Sequence, residues 1–260
     1  MGRTYLVTGS ASGIGKATAE LLRSRGAAVI GADLRDADIT VDLTTADGRA
    51  ALVAEATRLS GGRLDAVLAI AGLALPIPKT VGVNYFGMVA TLEGLRPLLA
   101  GSPAPRAAGV SSMASLMPAD DTLIDACLAG DEPAALARAA VLAENPATTG
   151  ALIYASTKVA FVRWIRRNAA TADWAGASIP LNGIAPGIIA TPMVADMIAT
   201  AEQRSQILQM VPMPLNGIAE PIVPARLLAW LTSEENTHLC GQVVFVDGGS
   251  DVLIRGDATW

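Results

Sequence analysis

Apolar residues in this chain gather in short unbroken runs, separated by longer stretches where they recur every three or four positions. Arg3–Thr8, Ala27–Ala32, Asp65–Ile70, Ala107–Ser111, Ser178–Ile184 and Gln242–Val246 are the runs. Four to six apolar residues without polar alternation predict strands covered on both faces, as in a parallel sheet. Lys16–Arg25, Thr45–Leu59, Val83–Leu99 and 150–172 carry the helical spacing. Strands and helices in alternation predict an α/β fold with a doubly wound parallel sheet, and 1–260 reads as a single domain. Two stretches break the rhythm. Residues 116–149 hold Pro118, Pro133, Pro146, four acids from Asp120 to Asp131 and a helical run Pro133–Ala143, and read as an inserted helical segment. Residues 191–214, with Met193, Met197, Met210 and Met213, read as a helical lid.

The first strand runs into Gly9-Ser10-Ala11-Ser12-Gly13-Ile14-Gly15, and a helix follows. Glycines there permit a tight turn and close backbone approach. The helix start presents unpaired N–H groups and positive dipole charge to a pyrophosphate. The spacing is Gly-x3-Gly-x-Gly rather than the commoner Gly-x-Gly-x2-Gly. Asp33 ends the second strand, where an acid accepts hydrogen bonds from a ribose 2′-hydroxyl and repels a 2′-phosphate. The expected cofactor of this Rossmann-type site is therefore NAD rather than NADP. Arg35 either accommodates that phosphate or is a solvated loop charge. Asp42 either reaches an adenine amino group or caps the next helix. Ala71-Gly72 offers a further close approach at a strand end.

Tyr154 and Lys158 are four residues apart, on one face of a helix. An ammonium beside a phenol favours the phenolate, which can take a proton from an alcohol near neutral pH. Alone, the pair equally describes an exposed helix with a snorkelling lysine. Ser112 follows the fifth strand, where open α/β sheets bind ligands. No histidine is near it in sequence, so a Ser-His nucleophile is not expected. Asn84, near the start of its helix, is either a cap or a polar group facing the site. His238, the one histidine, has no partner motif and reads as structural.

Composition narrows the class. With 52% hydrophobic and 17% charged residues, the chain is expected to bury much of itself and to have surface left for subunit contacts. A net charge of −5 gives no support to nucleic-acid binding. Cys127 and Cys240 lack metal-ligand spacing and read as reduced thiols, which fits a cytoplasmic protein. No signal-like start and no transmembrane-length apolar run is found, so no membrane insertion is expected. No metal site is expected. Trp260 reads as either a cover for a neighbouring pocket or a frayed end.

Taken together, these motifs resemble the classical short-chain dehydrogenase/reductase family over nearly the whole chain. The carriers are Thr8-Gly9-x3-Gly13-Ile14-Gly15, Asp42-Leu43, Ala71-Gly72, Asn84, Ser112, Tyr154-x3-Lys158, Pro186-Gly187 and Thr191. The resemblance implies a catalytic tetrad of Asn84, Ser112, Tyr154 and Lys158. It implies a cofactor set of Gly9, Ser12, Gly13, Ile14, Gly15, Asp33, Leu34, Asp42, Leu43, Ala71, Gly72, Tyr154, Lys158, Pro186, Gly187, Ile189 and Thr191. Asp42 would contact adenine, Asp33 the adenosine ribose and Thr191 the carboxamide. The family's usual Asn-Asn-Ala-Gly is here Ala69-Ile70-Ala71-Gly72, which leaves the customary asparagine contact in the central sheet without its residue. The insertion and the segments Val83–Gly87 and Arg35–Ala37 are similar to the bacterial 3α-hydroxysteroid dehydrogenase/carbonyl reductase type. Enzymes of cyclic monoterpene alcohols are similar too.

The expected reaction is NAD-dependent interconversion of a bulky hydrophobic cyclic secondary alcohol and its ketone. Tyr154 acts as general acid/base, its pKa lowered by Lys158, and Asn84 positions a water beside Lys158. Ser112, Met113, Met117, Tyr154, Ile188, Met193 and Met197 form the expected substrate pocket, although the methionines equally suit core packing. A smaller polar alcohol or ketone and a catalytically silent NAD-binding regulator are the alternatives. A homodimer or homotetramer is expected.

Overall fold

The structure, a computed structural model, describes residues 2–259. Trp260 lies outside the described residues. Strand β1 (Thr4–Thr8) leads through a turn to α1 (Gly13–Ser24) and β2 (Ala28–Asp33). A two-residue β3 (Ile39–Thr40), α2 (Ala46–Ser60) and β4 (Ala66–Ala69) follow. A helical stretch then runs as α3 (Pro78–Val81), a π-helical turn (Gly82–Gly87) and α4 (Met88–Leu99). β5 (Arg106–Val110), β6 (Leu181–Pro186) and β7 (Val243–Val246) complete a seven-stranded sheet. Its order is β3-β2-β1-β4-β5-β6-β7, and every pairing is parallel. The order reverses between β1 and β4, and there a crevice opens at the carboxyl ends of the strands.

Both faces of the sheet are covered, so its strands lack polar alternation. Leu6, Val67 and Ala107 join the buried cluster built on α2, α4 and α7 (Gly150–Asn168). Their neighbours Tyr5, Val7, Ala66, Leu68 and Ala108 point the other way, into the cluster built on α1 and α9 (Ile222–Leu231). The period of two is intact, but both sets are apolar.

The inserted segment belongs to this core. It forms two helices, α5 (Asp121–Leu128) and α6 (Glu132–Ala143), where the sequence showed only the second. Asp120 and Asp131 are their N-caps, accepting from Leu123 N at 2.8 Å and Ala134 N at 3.0 Å, which accounts for two of the acids. Leu123, Ile124, Cys127, Ala135, Ala139 and Leu142 lie in one buried cluster with Phe161 and Ile165 of α7. Burial pushes the Cys127 thiol up to about 12. Arg49 of α2 grips Glu132 with both terminal nitrogens, at 3.0 and 2.6 Å.

Three element starts differ from the sequence reading, and one helix was not read at all. Helix α1 starts at Gly13 rather than Lys16, so the last two glycines of the motif lie in its first turn. The helix expected from Val83 starts at Pro78, a favoured first helical residue; Gly82 conceals it, yet a β-carbon there would stand 3.3 Å from Thr44 O. The strand expected from Ser178 starts at Leu181, because Ser178 has φ 59° and closes a short turn. Helix α9 had no periodic signal, being apolar on nearly every side. Residues 191–214, expected to form a lid, hold a 3₁₀ turn (Pro192–Met197) and α8 (Ala201–Met210), and α10 (Ser250–Arg255) closes the described chain.

Leu123 of α5 is fully buried. Leu123→Ala is expected to lower the unfolding free energy by about 2–5 kcal/mol in urea titrations. A loss within experimental error would show that the insertion is not part of the core.

Candidate active site

The turn between β1 and α1 is a cradle of bare backbone. Gly9 and Gly13 have φ of 70° and 51°, which a residue with a β-carbon adopts only under strain. A β-carbon at Gly9 would stand 3.0 Å from the Ala71 backbone, one at Gly13 3.1 Å from Thr191 Cγ2, and one at Gly15 would overlap the Gly9 carbonyl. Ser12 occupies the N-cap of α1 but makes no side-chain bond to the helix, and no acid stands in the first turn. The first-turn N–H groups, including Ile14, are thus left for an anion.

Asp33 ends β2, half-buried, with Oδ2 accepting from Ala11 N at 2.9 Å and Oδ1 from Leu34 N at 2.7 Å. It ties the glycine turn to the tip of β2, while the Leu34 side chain is 62% exposed. Asp42 is not the cap of α2. Thr45 is, accepting from Gly48 N at 3.0 Å. Asp42 Oδ1 instead accepts from Thr44 N and Oγ1, and these bonds hold its carboxyl below the usual range. Leu43 is buried in the core. The missing Asn-Asn pair has a partial substitute: Thr8 Oγ1 accepts from Ile70 N at 2.9 Å and Ala71 N at 3.2 Å, joining the tips of β1 and β4. Gly187 N donates to Val246 O, and Thr191 stands at the start of the following 3₁₀ turn, beside Gly13, with no side-chain bond to it.

The expected proton-handling groups lie on the other side of the crevice. Tyr154 and Lys158 stand one turn apart on α7, with Lys158 Nζ 5.4 Å from the centre of the Tyr154 ring. Lys158 is 4% exposed, and Nζ donates to the Val110 carbonyl at 3.0 Å. Ser112, two residues past that carbonyl, caps a short turn by accepting from Ala114 N. Asn84 is fully buried inside the π-helical turn, which rules out the cap reading. Its amide oxygen accepts from Leu73 N and its nitrogen donates to Leu73 O, both at 2.8 Å. The same nitrogen donates to Thr157 Oγ1 at 3.3 Å, and that hydroxyl donates to the Tyr154 carbonyl at 2.7 Å. Asn84 thereby fixes both the loop after β4 and the helix that carries Tyr154.

A family model described as "Enoyl-(Acyl carrier protein) reductase" (adh_short_C2) matches residues 9–251. The 3-alpha-hydroxysteroid dehydrogenase/carbonyl reductase of Comamonas testosteroni is 34% identical over 257 residues, covering 96% of this chain and 97% of the relative. This chain belongs to the short-chain dehydrogenase/reductase family. The cis-4-hydroxycyclohexanecarboxylate dehydrogenase of Sinomonas cyclohexanicum is 30% identical over 265 residues, covering 95% and 96% of the two chains. The crystal structure of the 3-alpha-hydroxysteroid dehydrogenase from Pseudomonas sp. B-0831 complexed with NADH superposes with a TM-score of 0.87 at 39% identity, covering 98% and 99%. The chain is accordingly an oxidoreductase, and its family binds a nicotinamide cofactor.

In this family member the expected lowering of the Tyr154 pKa is not what the fold produces. Loss of water around the hydroxyl raises it, and Ser112 pulls the other way without winning. Burial acts on Lys158 too, pushing it down to about 7, so at neutral pH the lysine is only partly charged and its hold on the phenol is weakened.

The expected substrate residues divide. Met117 and Ile188 are half-buried, and Met193 and Met197 are each 48% exposed on the turn after Thr191. Met113 is 3% exposed and is a core residue, and so is Ile189 of the expected cofactor set, at 4%. Three supports escaped the sequence reading. Val110 contributes only its backbone carbonyl, Thr157 is a helix threonine like many others, and Met213 accepts a hydrogen bond at Sδ from Ile188 N at 3.3 Å. Thr157 is a variable position inside the Tyr-x3-Lys motif and Met213 was read only as a residue of the 191–214 segment, so neither contact was signalled.

Lys158 gives up its proton near 7 when folded, against 10.5 as its ordinary value. Between those limits the unfolded chain binds more protons, so this group makes stability rise with pH. In nucleotide-free protein, the thermal midpoint of wild type relative to Lys158→Met is expected to climb from pH 7 to pH 10. Parallel curves would refute the assignment.

Proposed function

We propose that this chain interconverts a bulky hydrophobic cyclic secondary alcohol, hydroxysteroid or monoterpenol in kind, and its ketone, with NAD as redox partner. The observation that carries the chemistry is the meeting of Ser112 and Lys158 at Tyr154 on the carboxyl edge of the sheet. The glycine turn, Asp33, Asp42, Gly72, Gly187 and Thr191 would hold NAD, which when bound exchanges hydride with the carbinol carbon. The preference for NAD rests on Asp33, placed at the end of β2 where a 2′-phosphate would meet a carboxylate.

Tyr154 is the acid in ketone reduction and the base in alcohol oxidation. Burial keeps it protonated, so reduction starts from the state that the pocket favours: the phenol donates to the ketone oxygen while Ser112 steadies the developing negative charge. Oxidation needs the phenolate and gains as pH rises. Asn84 acts by holding the Leu73 loop and α7 in place. Met117, Ile188, Met193 and Met197 would provide an adaptable apolar wall, with residues 191–214 as the lid. Two of the relatives described above bear the names of steroid alcohol enzymes. The name of a third, from Sinomonas, describes a ring alcohol carrying a carboxylate, and a smaller polar ring alcohol is the second reading. A cytoplasmic homodimer or homotetramer belongs to the same proposal and fits the 52% hydrophobic composition.

The test is nucleotide reduction at alkaline pH, with NAD and NADP assayed separately against hydroxysteroids, monoterpenols and small polar ring alcohols. Turnover with NAD on a hydrophobic ring class is expected. Preference for NADP would overturn the role given to Asp33, and turnover confined to polar alcohols would favour the second reading. Silence on every alcohol, with tight NAD binding, would turn the assignment toward a regulator.

A further inference from the structure

On the sheet edge opposite the crevice, a cavity of about 390 Å³ opens between the start of β5, the approach to β6 and the loop before β7. Arg106, Ser178, Thr237 and His238 line it, with Pro105 and Pro180 as rigid apolar wall. Arg106 is the first residue of β5 and is 6% exposed. Nη1 donates to Pro105 O at 2.8 Å and Nη2 to Glu234 O at 3.3 Å. Nε has no partner among the described residues.

The charge of Arg106 has no carboxylate in direct contact: among the described residues none forms an ion pair with it. Glu234 turns its carboxylate to Arg3 instead, at 3.5 Å. Arg3 adds a second guanidinium, and burial followed by that like charge lowers the Arg106 pKa against the weaker attraction of Glu234. Arginine nevertheless stays charged in proteins, and a buried cation without a counter-charge in contact is destabilising. At the mouth, His238 is exposed and engages the Thr237 hydroxyl through Nδ1 at 2.8 Å, which leaves Nε2 free among the described residues.

We propose that this cavity is a second ligand site, distinct from the nucleotide crevice, that takes a small oxyanion, a carboxylate or phosphate group, on Arg106 with His238 at its mouth. Such a ligand supplies a counter-charge in direct contact with the guanidinium. Neither the glycine turn nor Tyr154 is needed for it.

The chain has one histidine, so its imidazole resonances report this site alone. In NAD-saturated protein at fixed pH and ionic strength, the His238 C–H signals would be followed while sodium phosphate, or separately sodium acetate, replaces sodium chloride. A saturable shift with one or both anions is expected, and the effective anion names the ligand group. The shift should vanish in Arg106→Gln. It should also vanish in Ala175→Glu, which puts a carboxylate at the exposed rim without touching Arg106, while its thermal midpoint stays near wild type. If Arg106→Gln does not fold, Ala175→Glu decides alone. A shift that never saturates, or one that persists in a folded variant, overturns the proposal.

Discussion

Lysine is among the residues least often found fully buried, and the architecture around Lys158 is what makes its burial possible. Its ammonium ends on the Val110 carbonyl at the last residue of β5. Ser111 Oγ donates to the Lys158 carbonyl at 3.2 Å, so strand end and helix α7 are bonded in both directions. Asn84 and Thr157 secure the helix from its other flank. The same desolvation that brings Lys158 to about 7 raises Tyr154. Two groups of nearly equal ordinary acidity are thereby driven apart, so that near neutral pH the tyrosine keeps its proton while the lysine is partly deprotonated.

The rest of the fold presents that pair to a crevice. A doubly wound sheet leaves its opening where strand order reverses, between β1 and β4. The glycine turn at one side is stripped of side chains, and at the other α7 is pinned to β5. The insertion stiffens this second side: α5 and α6 pack on α7 from outside, and Asp120 N donates to Ser156 Oγ, two residues before Lys158.

Much of this was legible in the sequence where one local pattern has one structural meaning. Gly9, Gly13 and Gly15 announced a turn, Tyr154 and Lys158 a shared helix face, and unbroken apolar runs a covered parallel sheet, and all three readings agree with the structure. Legibility failed where a residue's role depends on partners far away in sequence. Asn84 stands at a position where a cap is reasonable, yet its partners are Leu73 and Thr157, 73 residues away in the latter case. Asp42 lost the cap to Thr45 because of local hydrogen bonding that both residues could have made. Val110 acts through its carbonyl, which has no sequence signature. The pKa of Tyr154 went against expectation because the pair motif shows the neighbouring charge but not the loss of water, and here the loss of water is the larger effect.

The central claim is that Tyr154 moves the proton while other residues hold the nucleotide. Tyr154→Phe tests it most directly, assayed for turnover and, on the same sample, for NADH binding by fluorescence. The account predicts loss of nearly all turnover with nucleotide affinity close to wild type. Turnover near the wild-type rate in that variant would contradict it.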